Sequence, residues 1–381
     1  RVGAPAAALA NGTLVHALDF DDTHAGGLVH ATAVVLPAAF AVGQERGRTG
    51  AEVLDAAVVG YEVVCRVSAA APHRFHARGL HATMVAGVFS SAVVAARLMG
   101  LTAAETTNAL GIAGSQAGGL LAFLATGAST KQLHPGLASQ SGILAARLAA
   151  AGASGPETVF DGPHGVFEAL AGGEADPASI VAGLGQRWET ERIGIKPYPV
   201  CQLSHATLDA VAAARASHPF DAEDVARVEA DVHPDSAPTV CDDSRDLTKP
   251  ATPYAAKFSL PWCVAALLVD GGLGLDAFEP DRLARPEVAD LASRVTWRLT
   301  DGAGPAADAA GHVRITLTDG SVVEGDVARS GGGPDQPLTL DQLRTKATDN
   351  GGPAAGAVAD LVERLADLET VDDVLDATRT D

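Results

Sequence analysis

Aromatic side chains make up only 4% of the 381 residues, so any core must be packed from Ala, Val and Leu rather than around large rings. Such residues cost little entropy in a helix. With 47% hydrophobic against 19% charged residues, the chain reads as folded and predominantly helical, which excludes wholesale disorder. Basic residues are also scarce: 27 Lys and Arg face 47 Asp and Glu, a formal charge of −20. No basic stripe is present to displace counterions from a phosphate backbone, which excludes nucleic acid as a partner. The acidic excess argues equally against an anionic membrane surface. Lysine occurs at only five positions, Lys131, Lys196, Lys249, Lys257 and Lys346. An anionic ligand would have to be met by a few placed cations.

Only four cysteines occur (Cys65, Cys201, Cys241 and Cys263), and none forms a CxxC pair. This fits reduced thiols and a cytoplasmic location rather than a disulfide framework. The longest apolar stretches, residues 31–42 and 83–98, are short or interrupted, and neither reads as a membrane span or signal peptide. The first residues, Arg1-Val2-Gly3, lack an initiator Met, and the expectation is that an N-terminal portion precedes them.

What is present divides the chain by periodicity. Over residues 1–190 apolar side chains recur at helical spacing, clearest at 51–70 and 103–113. The second opens on Thr102 with Glu105 three residues later, a capping-box pattern. Over 191–335 the period changes to alternation, at Val228/Ala230/Val232, Val295/Trp297/Leu299 and Val313/Ile315/Leu317. The last run leads into Asp319-Gly320, a hairpin signal. Helical stretches at 205–216 and 260–270 interleave with these strands, and residues 358–368 return to helical spacing. The predicted fold is mainly α with a second α+β domain. A large helical domain (1–190, with 336–381 packing back on it) would carry a smaller lid (191–335) with an antiparallel sheet.

Candidate chemistry begins at Leu18-Asp19-Phe20-Asp21-Asp22-Thr23-His24. Three carboxylates within four residues repel and raise one another's pKa, although a solvated helix terminus or loop would tolerate them. Asp19-x-Asp21-x-Thr23 also matches the nucleophile motif of dehalogenase-type phosphohydrolases. That reading needs a buried strand just upstream, where Leu14, Val15 and Leu18 are spaced instead as on a helix, so it stands as a runner-up. A Mg²⁺ site lacks a second acidic cluster. Twelve histidines are present; His30, His81, His134 and His205 fall near Gly, Pro or Lys. None belongs to HExxH or HxH and no Cys/His spacing matches a zinc site, so acid–base work without a metal is expected. Lys131 and His134, three apart, would share a helix face. There a cation could hold a carboxylate while an imidazole moves a proton.

The ordered set Asn11-Gly12, His16-Ala17-Leu18-Asp19-Phe20-Asp21-Asp22-Thr23-His24, His30, Gly79-x-His81-x-Thr83, Ser129-Thr130-Lys131-x-x-His134-x-Gly136, Lys196-Pro197-Tyr198-Pro199-x-Cys201-x-x-x-His205 and Lys257-Phe258-Ser259-Leu260-Pro261 resembles the MmgE/PrpD family. The resemblance runs from about residue 6 to about 345. It implies a helical domain built from both chain ends, an α+β lid and a homodimer. It also implies cofactor-independent lyase or isomerase chemistry on a small di- or tricarboxylic acid: dehydration as in 2-methylcitrate dehydratase, or else decarboxylation or epimerisation. Matched position by position, Asp19, His30, His81 and Lys131 would be catalytic, with Thr23, His134, Lys196, Cys201 and His205 contacting substrate. Asp19 would orient an imidazole. Cys201 stands where the decarboxylase branch carries His, Leu80 where an aromatic is common, and Ala31 where Pro often follows. From another class, a catalytically silent helical dimeric binding protein would have no physical need for Asp19, His30, His81 and Lys131 together.

Overall fold

The structure is a computed structural model and describes residues 2–379. Apolar spacing in the first part of the chain produces six long helices: α1 (Ala4–Ala17), α2 (Thr32–Arg46), α3 (Gly50–Ala69), α4 (Ala82–Met99), α5 (Ala103–Gly114) and α6 (Thr130–Ala150). Local signals set their ends. Thr49 with Glu52 and Thr102 with Glu105 form reciprocal capping boxes at α3 and α5, and Gly47 and Gly100 close α2 and α4 in left-handed backbone.

α4 is apolar and long enough to cross a membrane, with a mean hydropathy of 1.6. Here it is the central helix of the core, covered by α2, α3, α5 and α6. The scarcity of large rings lets helices approach closely. α1 and α6 cross at Gly12 and Gly136, where an added Cβ on Gly136 would stand 2.2 Å from the Leu9 carbonyl oxygen. That crossing brings the end of α1 and the start of α6 side by side.

In the second part, α7 (His205–Ser217) and α8 (Leu260–Asp270) accompany a four-stranded sheet of order β4-β3-β5-β6. Its strands are β3 (Val225–Val232), β4 (Val295–Leu299), β5 (Gly311–Leu317) and β6 (Val322–Val327). Burial alternates along β5, where Val313, Ile315 and Leu317 face the core. Asp319-Gly320 makes the predicted turn, with Gly320 at φ 87°. The sheet is mixed: β4 lies parallel to β3 (Val228 opposite Val295), after a connection that runs through α8, whereas β5 and β6 are antiparallel.

The return segment holds α9 (Leu340–Gly351) and α10 (Ala355–Glu363). The helix expected to continue to 368 stops at Glu363 and passes into a 3₁₀ turn at Leu365–Asp367. This change lets the chain dock on α3. The Gly50 N–H donates to the Leu368 carbonyl at 2.9 Å, and Leu365, Val371 and Val374 join the core of the first part. A second large core spans residues 200–323. A small cluster of Phe123, Tyr254 and Phe258 draws on both parts.

Candidate active site

The carboxylate segment follows the end of α1 directly. Helical backbone stops at Ala17, and Asp19 takes φ +53°, a left-handed conformation that Asp tolerates better than most side chains but still at a cost. Three residues later β1 (Asp22–His24) pairs antiparallel with β2 (Ile193–Ile195), with Asp22 opposite Ile195. This two-stranded ribbon delivers Lys196 to Asp19 across nearly half the sequence. A helix, not a strand, leads into the motif, and Asp19 is enclosed by ammonium groups, so the phosphohydrolase reading loses its nucleophile.

Asp19 accepts from Lys131 Nζ at 3.1 Å through one oxygen and from Lys196 Nζ through the other. Lys196 also donates to the Asp19 carbonyl at 3.2 Å and lies 3.4 Å from Asp21 Oδ1. Burial alone would raise the Asp19 carboxyl, but Lys131 and Lys196 outweigh it and hold it well below the usual carboxylate range. Burial likewise opposes the Lys196 ammonium, and Asp19 and Asp21 overcome it, so that group stays charged. The expectation that Asp19 orients an imidazole is corrected here: it bridges two lysines. Asp21 takes the histidine, with Oδ2 2.6 Å from His16 Nδ1. Asp22 is buried beside Asp21, its carboxyl pushed up to about 7, and accepts from the Thr32 N–H at 3.1 Å at the start of α2.

The imidazoles come from four elements. His16 is in the last turn of α1, His30 precedes α2, His81 is the N-cap of α4, and His134 lies one turn into α6. His81 is fixed by its N–H bond to the Gly119 carbonyl at 2.7 Å, after a turn at Gly79 with φ +76°. His30 Nδ1 sits 2.7 Å from the Asp22 carbonyl and 3.3 Å from Thr23 Oγ1. His81 Nδ1 lies 3.1 Å from His134 Nδ1. Ring centroids are 4.7 Å apart for His16–His30 and 5.9 Å for His30–His81. One ring nitrogen of each of His16, His30 and His81 lies within 4.8 Å of those of the other two. Burial, reinforced by Lys196 at His30 and by Lys131 at His81, lowers both rings well below the ordinary histidine range. His134 falls to about 4, again chiefly through burial. These rings are neutral at physiological pH and able to accept protons.

His30, His81 and Lys131 face a cleft that is also lined by Cys201, Gln202, Leu203 and Phe258 from the second part. Cys201 is a thiol raised by burial and by Asp19. The remaining expected contacts lie elsewhere. Lys196 is enclosed behind Asp19, and His134 stands behind His81. Thr23 buttresses His30 and lines a separate recess. His205 is the clearest correction: it is buried against Tyr198 with Nε2 3.2 Å from the Val200 carbonyl, outside the cleft. Among the described residues the sequence reading missed His16, Asp21, His76 and Tyr254. His76 lines the cleft, and the Tyr254 hydroxyl is buried without a hydrogen-bond partner. His16, five residues before Asp21 in the quoted motif, was the signal available.

A helical body whose buried histidines and Lys–Asp–Lys bridge face an α+β segment across one cleft defines the class. Residues 1–178 match the MmgE/PrpD N-terminal domain and residues 198–370 the MmgE/PrpD C-terminal domain. The chain belongs to the MmgE/PrpD family. Among its relatives, a cis-aconitate decarboxylase-like protein, oryM, of Aspergillus oryzae is 30% identical over 364 residues, covering 91% of this chain and 75% of the relative. The cis-aconitate decarboxylase of Aspergillus terreus strain NIH 2624 is 31% identical over 345 residues (85% and 70%), and that of Homo sapiens 29% over 388 (96% and 77%). Two of the three are decarboxylases by name, hence lyases, and the third is named as decarboxylase-like; at the coarser level of a lyase the chain groups with them.

Proposed function

We propose that this chain is a lyase acting on a small di- or tricarboxylic acid by proton transfer at the carbon next to a carboxylate, most simply as a dehydratase. The observation that carries the reading is one ammonium, Lys131, facing the cleft beside two neutral imidazoles, His30 and His81. Lys131 pairs the carboxylate. An imidazole then takes the neighbouring proton, negative charge spreads into the carboxylate, and the ammonium is worth more at that moment than in the ground state. The electron pair of the broken C–H bond then forms the C=C bond as the hydroxyl on the adjacent carbon leaves, taking the proton back from the imidazolium to depart as water. When His81 Nε2 takes the proton, its Nδ1–H donates to His134 Nδ1, which supports the charged ring. Asp19 keeps Lys131 in place, and Asp21 keeps His16 in place.

A second reading, decarboxylation, draws on the names of the relatives. In it the same groups protonate the carbanion left by CO₂. A panel of di- and tricarboxylates in D₂O, followed by NMR with CO₂ capture, separates them. An alkene with no CO₂ marks dehydration, one CO₂ per turnover marks decarboxylation, and deuterium with inversion marks epimerisation. Binding with none of the three overturns the enzymatic reading.

A further inference from the structure

Three histidines from separate segments of the sequence meet here. His16, His30 and His81 are all buried, and one nitrogen of each lies within 4.8 Å of the others. In each ring Nδ1 is already committed, to the Asp21 carboxylate at 2.6 Å, the Asp22 carbonyl at 2.7 Å and His134 at 3.1 Å. Nε2 is the nitrogen left to each ring. That of His16 is fully buried and has no hydrogen-bond partner among the described residues. Metal-binding imidazoles are held in this way, with the outer nitrogen fixed by a carboxylate, carbonyl or similar group so that the inner one faces the ion. His30 and His81 also line the cleft, which leaves a fourth position open. The two nearby ammonium groups, Lys131 and Lys196, are already paired with Asp19.

We propose that His16, His30 and His81 form a three-nitrogen site for a borderline divalent cation such as Zn²⁺ or Co²⁺, and that occupancy inhibits the enzyme. Zn–N bonds of about 2.0–2.1 Å set ligand nitrogens roughly 3.3 Å apart, so the rings must close by up to about 1.5 Å. Small rotations of His30 and His81 about their Nδ1 contacts toward His16 would supply that movement. A bound cation takes the nitrogens that the proposed proton transfer uses and competes with substrate. The inhibition therefore rests on that reading, whereas the binding does not.

The test titrates metal-free protein with Co²⁺ and reads visible absorption. His16→Gln, His81→Asn and the remote His312→Gln run alongside, each checked for fold by circular dichroism. Expected are intense tetrahedral bands saturating at one Co²⁺ per chain, untouched by His312→Gln, with affinity lower by about tenfold or more in the folded ligand variants. If neither ligand variant folds, three hyperfine-shifted imidazole resonances in the unsubstituted chain serve the same purpose, and their absence overturns the site. So do missing bands, weak six-coordinate bands, or equal affinity in a folded ligand variant. Zn²⁺ binding that leaves turnover intact would overturn the inhibition and the catalytic use of these rings while leaving the site standing.

Discussion

Asp19 combines a left-handed backbone, complete burial and two ammonium partners, and each feature has a cost unless the other two are present. Removing its charge leaves Lys131 and Lys196 sharing little negative compensation in a buried setting. Asp19→Asn is expected to lose about 3–5 kcal/mol in urea unfolding, the range for breaking a buried pair from one side; a loss under about 1 kcal/mol would mean that the lysines relax to solvent. At the cleft, Lys131→Ala and His81→Ala should each lower turnover by roughly 10²–10³ with the fold retained, as for loss of one partner to developing charge. Motif spacing in the sequence pointed to Asp19, His30, His81 and Lys131, because each lies in a short run of carboxylate, Gly, Thr or His residues that stands out from the Ala- and Val-rich helices around it. It misassigned the partner of Asp19, since the Lys196 contact depends on the β1–β2 pairing between residues 22–24 and 193–195, which no local pattern announces.

At the scale of elements, α9 reaches the site through one side chain. Lys346 donates to the Phe20 and Lys196 carbonyls, each at 2.7 Å, and rests 4.0 Å over the Phe20 ring. It therefore ties the return segment to the residues that lead into β1 and out of β2. Lys346→Ala is expected to destabilise the chain by roughly 1.5–3 kcal/mol, as for hydrogen bonds from a charged donor. Turnover should fall as well, because the ribbon positions Asp19 and Lys196. Unchanged turnover in a folded Lys346→Ala variant would show that the ribbon holds without it. The helices with clear caps were legible, as were the hairpin and the strand alternation. The parallel entry of β4 and the break after Glu363 were not, because both depend on what the element packs against. Leu365 keeps helical spacing in sequence yet turns in toward Gly50.

For the whole molecule, burial of so many histidines fixes the response to acid. The unfolded chain takes up protons below about pH 6.5, while folded His30, His81, His76 and His205 do not, the last two being lowered to about 3 by burial. Stability therefore falls as pH drops below 6.5, by up to about 1.4 kcal/mol per unit for each such ring. Asp22, raised to about 7, and Asp209, raised by burial, work in the opposite sense, but as two groups against several. The unfolding temperature at pH 5 should lie well below that at pH 7.5; the reverse order would mean that the rings are charged in the folded state. Leu14 and Val15 on α1, with Leu133, Leu144 and Leu148 on the adjacent α6, are exposed. We propose that a second copy covers them. Light scattering should give a dimer that Leu14→Glu with Leu148→Glu converts to monomer, and a monomeric parent chain would contradict this.

We propose that neutral imidazoles beside Lys131 move a proton at the carbon next to a carboxylate. It is met most directly by NMR of a di- and tricarboxylate panel in D₂O with the parent chain and His81→Asn. Expected is exchange or elimination at that carbon in at least one acid, lower by roughly 10²-fold or more in the folded variant. Equal rates in parent and variant, or binding with no exchange, elimination or CO₂ release across the panel, would contradict it.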